Sequence, residues 1–164
     1  ELNSGYGVRT MAANTAGYNP LGYHTGSVWT HDTMIAASGL AAAGFRREAE
    51  TLVTGLVEAS SAFRGRLPEL FGGYAAVAGG RPTAYAASCH PQGWAAASVV
   101  EGLRILLGVE VDVPAGTVRS TGVSELLHGH HVDGLMFNGA PVSVAVSGHG
   151  EFAWEGLRLD VAAD

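Results

Sequence analysis

The spacing of apolar and polar residues predicts a pair of helices early in the chain. An Ala-rich run at about residues 32–43 follows two capping candidates, Thr30 and Asp32, and stops at Gly44, a residue type that readily adopts the left-handed conformation after a helix. The run 46–63 places its apolar residues along one stripe and its glutamates elsewhere, which is typical of an amphipathic helix. Two adjacent helices joined at a glycine predict a helical hairpin.

A third helix is predicted at residues 92–107, where Pro91 takes a first-turn position and Gly108 closes the run. The segments 1–31 and 65–91 contain many glycines and show no sustained period, so both are predicted to be loops. Loops longer than about 12–15 residues in a compact domain usually carry function. The candidate chemistry is therefore expected in these two segments.

The hydrophobic pattern changes at Gly108. Short alternating runs such as VEVDV and TVRST follow, with Asn-Gly and Gly-His-Gly turn signals, which is typical of antiparallel strands. A boundary near 108–112 divides the chain into a helical part, residues 1–108, and a β-rich tail, residues 109–164.

Composition indicates a globular protein, because 47% of the residues are apolar and only 15% are charged. The net charge of −6, with nine arginines and no lysine, leaves no basic face for nucleic acid. The single cysteine, Cys89, cannot form an internal disulfide, and no signal-peptide pattern or membrane-spanning run is present. A cytoplasmic protein without membrane partners is therefore expected.

The densest group of functional side chains lies just before the first predicted helix. Tyr23, His24, Trp29, His31 and Asp32 combine aromatic rings, imidazoles and a carboxylate within ten residues. Aromatic faces stack on pyranose rings, while His and Asp hydrogen-bond the hydroxyls, so this group predicts a sugar site. The alternative is that Asp32 caps the helix and Trp29 fills the core.

The segment RLPELFGGY presents Glu69 between a proline and a bulky apolar pair, and it ends at Tyr74, a further sugar-binding candidate. A carboxylate that is held stiffly and partly removed from water is suited to general-base work if it faces a cleft. The alternative is a surface ion pair with Arg64 or Arg66.

The segment SCHPQGW adds Gln92 and Trp94 as sugar-binding candidates at the start of the third helix. Adjacent residues seldom face each other, so the neighbours Cys89 and His90 do not predict a thiol nucleophile. Cys89 is expected to be a buried small residue.

Four histidines near the C-terminus, His128, His130, His131 and His149, could be read as a zinc cluster. They alternate in a Gly-rich segment without the paired spacing of structural zinc sites, and no second cysteine accompanies them. Neither a metal nor a cofactor is therefore predicted.

Three ordered segments carry a family resemblance: YNPLGYHTGSVWTHDTMIAASGLAAAGF, RLPELFGGY and SCHPQGWAAASVVEGLRILLG. They resemble the motifs YHxGSVWPHD, LPELFxGY and CxPQAWAA of bacterial amylo-alpha-1,6-glucosidases and glycogen-debranching-type proteins. The resemblance covers about residues 18–112. Thr30 stands where the family commonly has proline, and Gly93 stands where it has alanine.

The resemblance implies a mainly α fold, in which this chain forms part of an α/α toroid of helical hairpins and ends in a small antiparallel β tail. It also implies inverting hydrolysis of α-glucosidic bonds in an α-glucan oligo- or polysaccharide, with Glu69 as the general base. The family's general-acid aspartate lies upstream of the residues present here. The isolated chain is therefore expected to be inactive, and to associate with itself or with the missing N-terminal part.

Two other readings stay open. Asp32 and Glu69 could form a self-contained acid and base pair, since an inverting site needs two carboxyls about 6.5–9.5 Å apart. The chain could instead be a non-catalytic carbohydrate-binding or assembly module, which is favoured if Glu69 faces solvent and the aromatic residues form an open face.

Overall fold

The computed structural model describes residues 1–112, 114, 117–137, 139–156 and 160–161 of the 164-residue chain. The chain divides into two compact units, residues 1–102 and 103–164. None of the helices in the described part of the chain has the length and apolar composition that crossing a bilayer requires.

The first unit contains two helices, a 3₁₀ turn, the start of a third helix and a minimal two-stranded sheet. In chain order these are β1 (Val28–Trp29), α1 (Thr30–Ala42), α2 (Arg46–Ser60), the 3₁₀ turn Ser61–Phe63, β2 (Leu70–Phe71) and α3 (Gly93–Leu106), whose last residues belong to the second unit.

The three helices lie where the sequence pattern predicts them, but the start of α1 differs in detail. Trp29 takes the N-cap position without a side-chain cap, so neither Thr30 nor Asp32 caps the helix as expected. Thr30 is instead the first helical residue and is fully buried. At the other end Gly44 has a φ of 85°, which confirms the predicted stop.

The core of the first unit forms where the helices meet the β1–β2 pair. Leu56 of α2 and the β2 residues Leu70 and Phe71 are almost completely buried. α3 comes close to α1 at Gly102, where an added Cβ atom would lie 2.9 Å from the side chain of Met34 in α1. Apolar burial is the main stabilising term in folding, so this core fixes the backbone of β1 and β2.

The second unit is built from two three-stranded sheets. In the first sheet β3 (Val109–Asp112) pairs antiparallel with β4 (Thr117–Ser120), which pairs parallel with β8 (Asp160–Val161). The second sheet is an antiparallel meander of β5 (His131–Phe137), β6 (Ala140–Val146) and β7 (Phe152–Glu155), with a register shift between Val132 and Leu135.

Strand β6 shows why this part of the chain forms a sheet. Its alternate residues Val142, Val144 and Val146 are buried, and the intervening positions are more exposed. This period of two is the signature of a strand with one covered face.

The predicted mainly α fold, a partial α/α toroid, is wrong for this chain. The described residues form eight short strands in three sheets beside only three α-helices. The segments before α1 and between α2 and α3 form the β1–β2 pair and turns, and the residues after α3 alternate with the period of strands. The helices therefore do not continue into a ring.

Candidate functional site

The β1–β2 pair brings the first two candidate segments together. Trp29 lies opposite Leu70, so the residue before Leu70, Glu69, lies beside the start of α1. The Thr30 N–H donates to the Glu69 carbonyl at 3.1 Å, and the Thr30 hydroxyl donates to the Pro68 carbonyl at 2.6 Å. Two segments that are far apart in the sequence therefore meet at Glu69.

The third segment holds Glu69 from another direction. The Glu69 N–H donates to the Cys89 carbonyl at 3.0 Å, and the Cys89 N–H donates to Oε2 of Glu69 at 3.2 Å. The Leu70 N–H also donates to the Ser88 hydroxyl at 3.1 Å. The expectation that Cys89 is buried is wrong, because its main chain is used for this pairing and its side chain is exposed.

A group of aromatic rings lies beside this junction. We call it the aromatic cluster, and its members are Tyr23, His24, Trp29, His31, Tyr85 and Trp94. Tyr23 meets His24 and Trp29 edge-on, with ring centroids 4.5 and 4.7 Å away. His24 stacks on Trp29 with an interplanar angle of 9°, and Tyr85 lies 6.1 Å from Tyr23. These contacts orient the Tyr23 ring next to the β1–β2 junction.

The members of the cluster differ in exposure. Trp29 is 8% exposed, and its indole N–H donates to the Tyr23 carbonyl and to the Ser27 hydroxyl. His31 packs edge-on against Trp29 and against Trp94, at centroid distances of 5.7 and 4.8 Å. Trp94 is 67% exposed and Tyr23 is 43% exposed. Trp29 is therefore the buried member that the other rings pack against, and the rings of Tyr23 and Trp94 are accessible to a ligand.

Three further candidates make no hydrogen bond, ion pair or ring contact with Glu69 among the described residues. Asp32 is exposed, and its Oδ2 lies 3.7 Å from Nε2 of His31. The Gln92 side chain accepts a hydrogen bond from the Ala95 N–H at 2.7 Å, so it caps the start of α3. Tyr74 is exposed and follows Gly73, whose carbonyl accepts from the Tyr18 hydroxyl.

The carboxylate of Glu69 influences two neighbouring acids. Partial removal from water raises the pKa of Tyr23, and the charges of Glu69, Cys89 and Tyr85 raise it further. The charge of Glu69 raises the pKa of Cys89, and a hydrogen bond to Glu69 and desolvation add to this effect. Both groups therefore stay protonated near neutral pH. A thiol with a raised pKa is a poor nucleophile, which agrees with the reading of Cys89 as non-nucleophilic.

Sequence reasoning missed Tyr85 and Ser88 as parts of this site. Both lie in the loop before α3, which has no period from which a contact could be predicted. The one available signal was the SCHPQGW motif, which begins at Ser88 and follows Tyr85 by three residues.

The C-terminal histidines form no evident metal centre in the described part of the second unit. Nδ1 of His130 lies 3.0 Å from the carbonyl oxygen of His128. Across the described ranges, no three His, Cys, Asp or Glu side chains come together in an arrangement that could hold a metal ion.

Comparison with known proteins identifies no family for this chain. No family model matches the chain, and a search of curated proteins finds no match. The resemblance to glycogen-debranching-type proteins therefore depends on the three motifs, all of which contribute residues around Glu69.

Proposed function

We propose that the first unit forms the general-base side of a glycoside hydrolase site that acts on α-glucosidic bonds with inversion, as in the amylo-1,6-glucosidase type. The convergence of three separate motifs on Glu69 carries this proposal. A carboxylate with fixed main-chain and side-chain hydrogen bonds, beside exposed aromatic rings, is an arrangement that suits base catalysis on a sugar.

In the proposed reaction Glu69 accepts a proton from the water that attacks the anomeric carbon. The bond from this carbon to the leaving oxygen breaks, and a general acid protonates that oxygen. The family resemblance assigns the acid to a segment outside this sequence. The chain alone would then bind substrate without cleaving an ordinary glycosidic bond.

The proposed sugar-binding surface uses the aromatic cluster. Trp94 and Tyr23 provide exposed rings for stacking, and their positions are fixed by His31 and Trp29. The raised pKa of Tyr23 keeps its phenol available as a hydrogen-bond donor. Asp32 is proposed to accept hydrogen bonds from sugar hydroxyls, because it is exposed on the first turn of α1.

The substrate class proposed is an α-glucan oligo- or polysaccharide, and the location proposed is the bacterial cytoplasm. The free and exposed thiol of Cys89 supports a reducing compartment, where such thiols persist.

Calorimetric binding of panose, a trisaccharide with α-1,6 and α-1,4 bonds, tests the proposed surface. We expect the chain to bind panose and Trp94→Ala to weaken the affinity at least about fivefold, as for a residue at the centre of a contact. Val100→Ala is the matched control, since Val100 is 66% exposed on the same helix. Equal loss of affinity in both variants, or no binding by the unmodified chain, would refute the proposed sugar-binding surface.

Turnover of panose separates the catalytic alternatives. We expect none from the isolated chain, because the general acid is absent from the proposed site. Robust hydrolysis would show that both carboxyls lie within this chain, and loss of that hydrolysis in Asp32→Asn would then identify Asp32 as the acid.

A further inference from the structure

We propose that a cavity in the first unit is a second small-molecule site, which binds an organic ammonium ion. The cavity has a volume of about 440 Å³, which lies in the range of ligand pockets. Its wall is formed by Tyr6, Glu58, Ser61 and the loop 76–80. None of these residues belongs to the aromatic cluster or hydrogen-bonds Glu69, so this cavity is separate from the proposed sugar site.

The wall of the cavity consists of three segments that are fastened to each other through the main chain. Helix α2 passes the N-terminal turn at Gly55, where an added Cβ atom would lie 2.5 Å from the Gly5 carbonyl oxygen. The Ala76 N–H donates to the Ser4 carbonyl at 2.7 Å, which ties the loop 76–80 to the same turn. Backbone contacts therefore hold the wall in place without help from a ligand.

The Tyr6 hydroxyl is the group that indicates a ligand. Tyr6 is only 7% exposed, and its N–H donates to the Ser4 hydroxyl at 3.1 Å, which fixes the residue in the turn. A Cβ atom added to Gly80, another residue of the wall, would lie 3.7 Å from Oη of Tyr6, so the hydroxyl lies at the wall. No residue in the described part of the chain hydrogen-bonds this hydroxyl. Buried tyrosine hydroxyls usually have a partner, and a ligand in the cavity can supply it.

The charge of the wall determines the class of ligand. Glu58 is the one charged residue in the wall, and it forms no ion pair with any described residue. The Ser61 hydroxyl donates to the Glu58 carbonyl at 2.8 Å, so its own lone pairs remain free to accept. The loop 76–80 consists only of Ala, Val and Gly and adds an apolar surface. A carboxylate and hydroxyl acceptors beside an apolar surface suit a protonated amine with an apolar body, whereas an anion would be repelled.

Three ligands of similar size test the charge preference in NMR titrations of the chain. At neutral pH 2-phenylethylamine is a cation, 2-phenylethanol is neutral and 3-phenylpropionate is an anion. We expect the amine to bind at least about threefold more tightly than the alcohol, because the Glu58 carboxylate is exposed and its attraction is weakened by water. The anion should bind more weakly than either. No binding of the amine in the millimolar range, or equal affinity for amine and alcohol, would overturn the proposal.

Two variants show whether the amine occupies this cavity. Tyr6→Phe keeps the ring and removes the hydroxyl, so the affinity for 2-phenylethylamine should fall about 3-fold to 10-fold. Its urea midpoint should not change, because the hydroxyl has no partner among the described residues. Glu58→Gln should abolish the preference for amine over alcohol. Glu48→Gln is the matched control, since Glu48 is exposed on the same helix but lies outside the wall, and it should bind the amine like the unmodified chain.

The results that contradict the site are equally specific. Unchanged amine affinity in Tyr6→Phe would place the amine elsewhere and overturn the proposal. A lower urea midpoint in Tyr6→Phe would assign the hydroxyl to the stability of the fold and overturn it as well. A preference for amine over alcohol that survives in Glu58→Gln would refute the role of this carboxylate and with it the proposed class of ligand.

Discussion

Replacing Thr30 tests how the site is attached to the core. The Thr30 side chain is fully buried, and its hydroxyl donates to the Pro68 carbonyl at 2.6 Å, one residue before the proposed base. Thr30→Val keeps the shape of the side chain and removes the donor. The Pro68 carbonyl then loses this hydrogen-bond donor, and Pro68 is buried.

The expected cost of Thr30→Val is about 1–3 kcal/mol, the range for leaving a buried acceptor unsatisfied. For a unit of this size each kcal/mol lowers Tm by about 4–8 °C. Thr30→Pro should cost more. It removes the hydroxyl and also the N–H that donates to the Glu69 carbonyl at 3.1 Å. Proline also restricts the unfolded chain, but this effect stabilises the folded state by only about 0.4–1 kcal/mol.

Urea unfolding followed by tryptophan fluorescence measures these differences. A Trp154→Phe background restricts the signal to Trp29 and Trp94, which both lie in the first unit. Thr51→Val is the matched control, because Thr51 is exposed and its change should stay within about 0.5 kcal/mol. If Thr30→Val unfolds at the same urea concentration as the unmodified protein, the hydrogen bond to Pro68 does not stabilise the junction. If Thr30→Pro is as stable as Thr30→Val, the hydrogen bond from the Thr30 N–H to the Glu69 carbonyl does not stabilise the first unit.

Further predictions concern packing and association. Gly73→Ala should unfold the first unit at a markedly lower urea concentration, because the new Cβ would lie 1.7 Å from the Gly26 carbonyl oxygen. Gly39→Ala in α1 should instead stabilise the first unit by about 0.5–1 kcal/mol, since nothing lies within 4 Å of the new methyl group. Equal stability of these two variants would contradict the packing described. The chain should also self-associate through exposed apolar residues such as Ile35 and Val100, which are 65% and 66% exposed. Sedimentation velocity should show a concentration-dependent species that the double variant Ile35→Glu, Val100→Glu lacks; a monomer at every concentration would exclude this.

The helices could be predicted from the sequence because their signals are local. α2 carries an apolar stripe, and Gly44 marks the end of α1 through its backbone conformation. The cap of α1 could not be predicted in this way. The Thr30 hydroxyl bonds the Pro68 carbonyl, 38 residues along the chain, in place of a local N–H. A tertiary partner therefore outweighed the local capping preference.

The pairing that builds the site could not be predicted for a similar reason. β1 and β2 contain two residues each, too few to show a period of two. The motifs indicated candidate functional residues, but not which architecture supports them. The toroid implied by the resemblance was therefore wrong, whereas the alternation of residues such as Val142 and Val144 correctly predicted strands after Gly108.

Hydrolysis of α-glucosyl fluoride by the unmodified chain and by Glu69→Gln tests the role of Glu69 most directly. Fluoride leaves without protonation, so a site that holds only the general base can still catalyse attack by water. We predict Glu69-dependent release of fluoride, with β-glucose as the first product detected by NMR and a rate about 10²–10⁴-fold lower in Glu69→Gln. Fluoride release at equal rates in both proteins, or none above the rate in buffer, would contradict the assignment of Glu69 as the base.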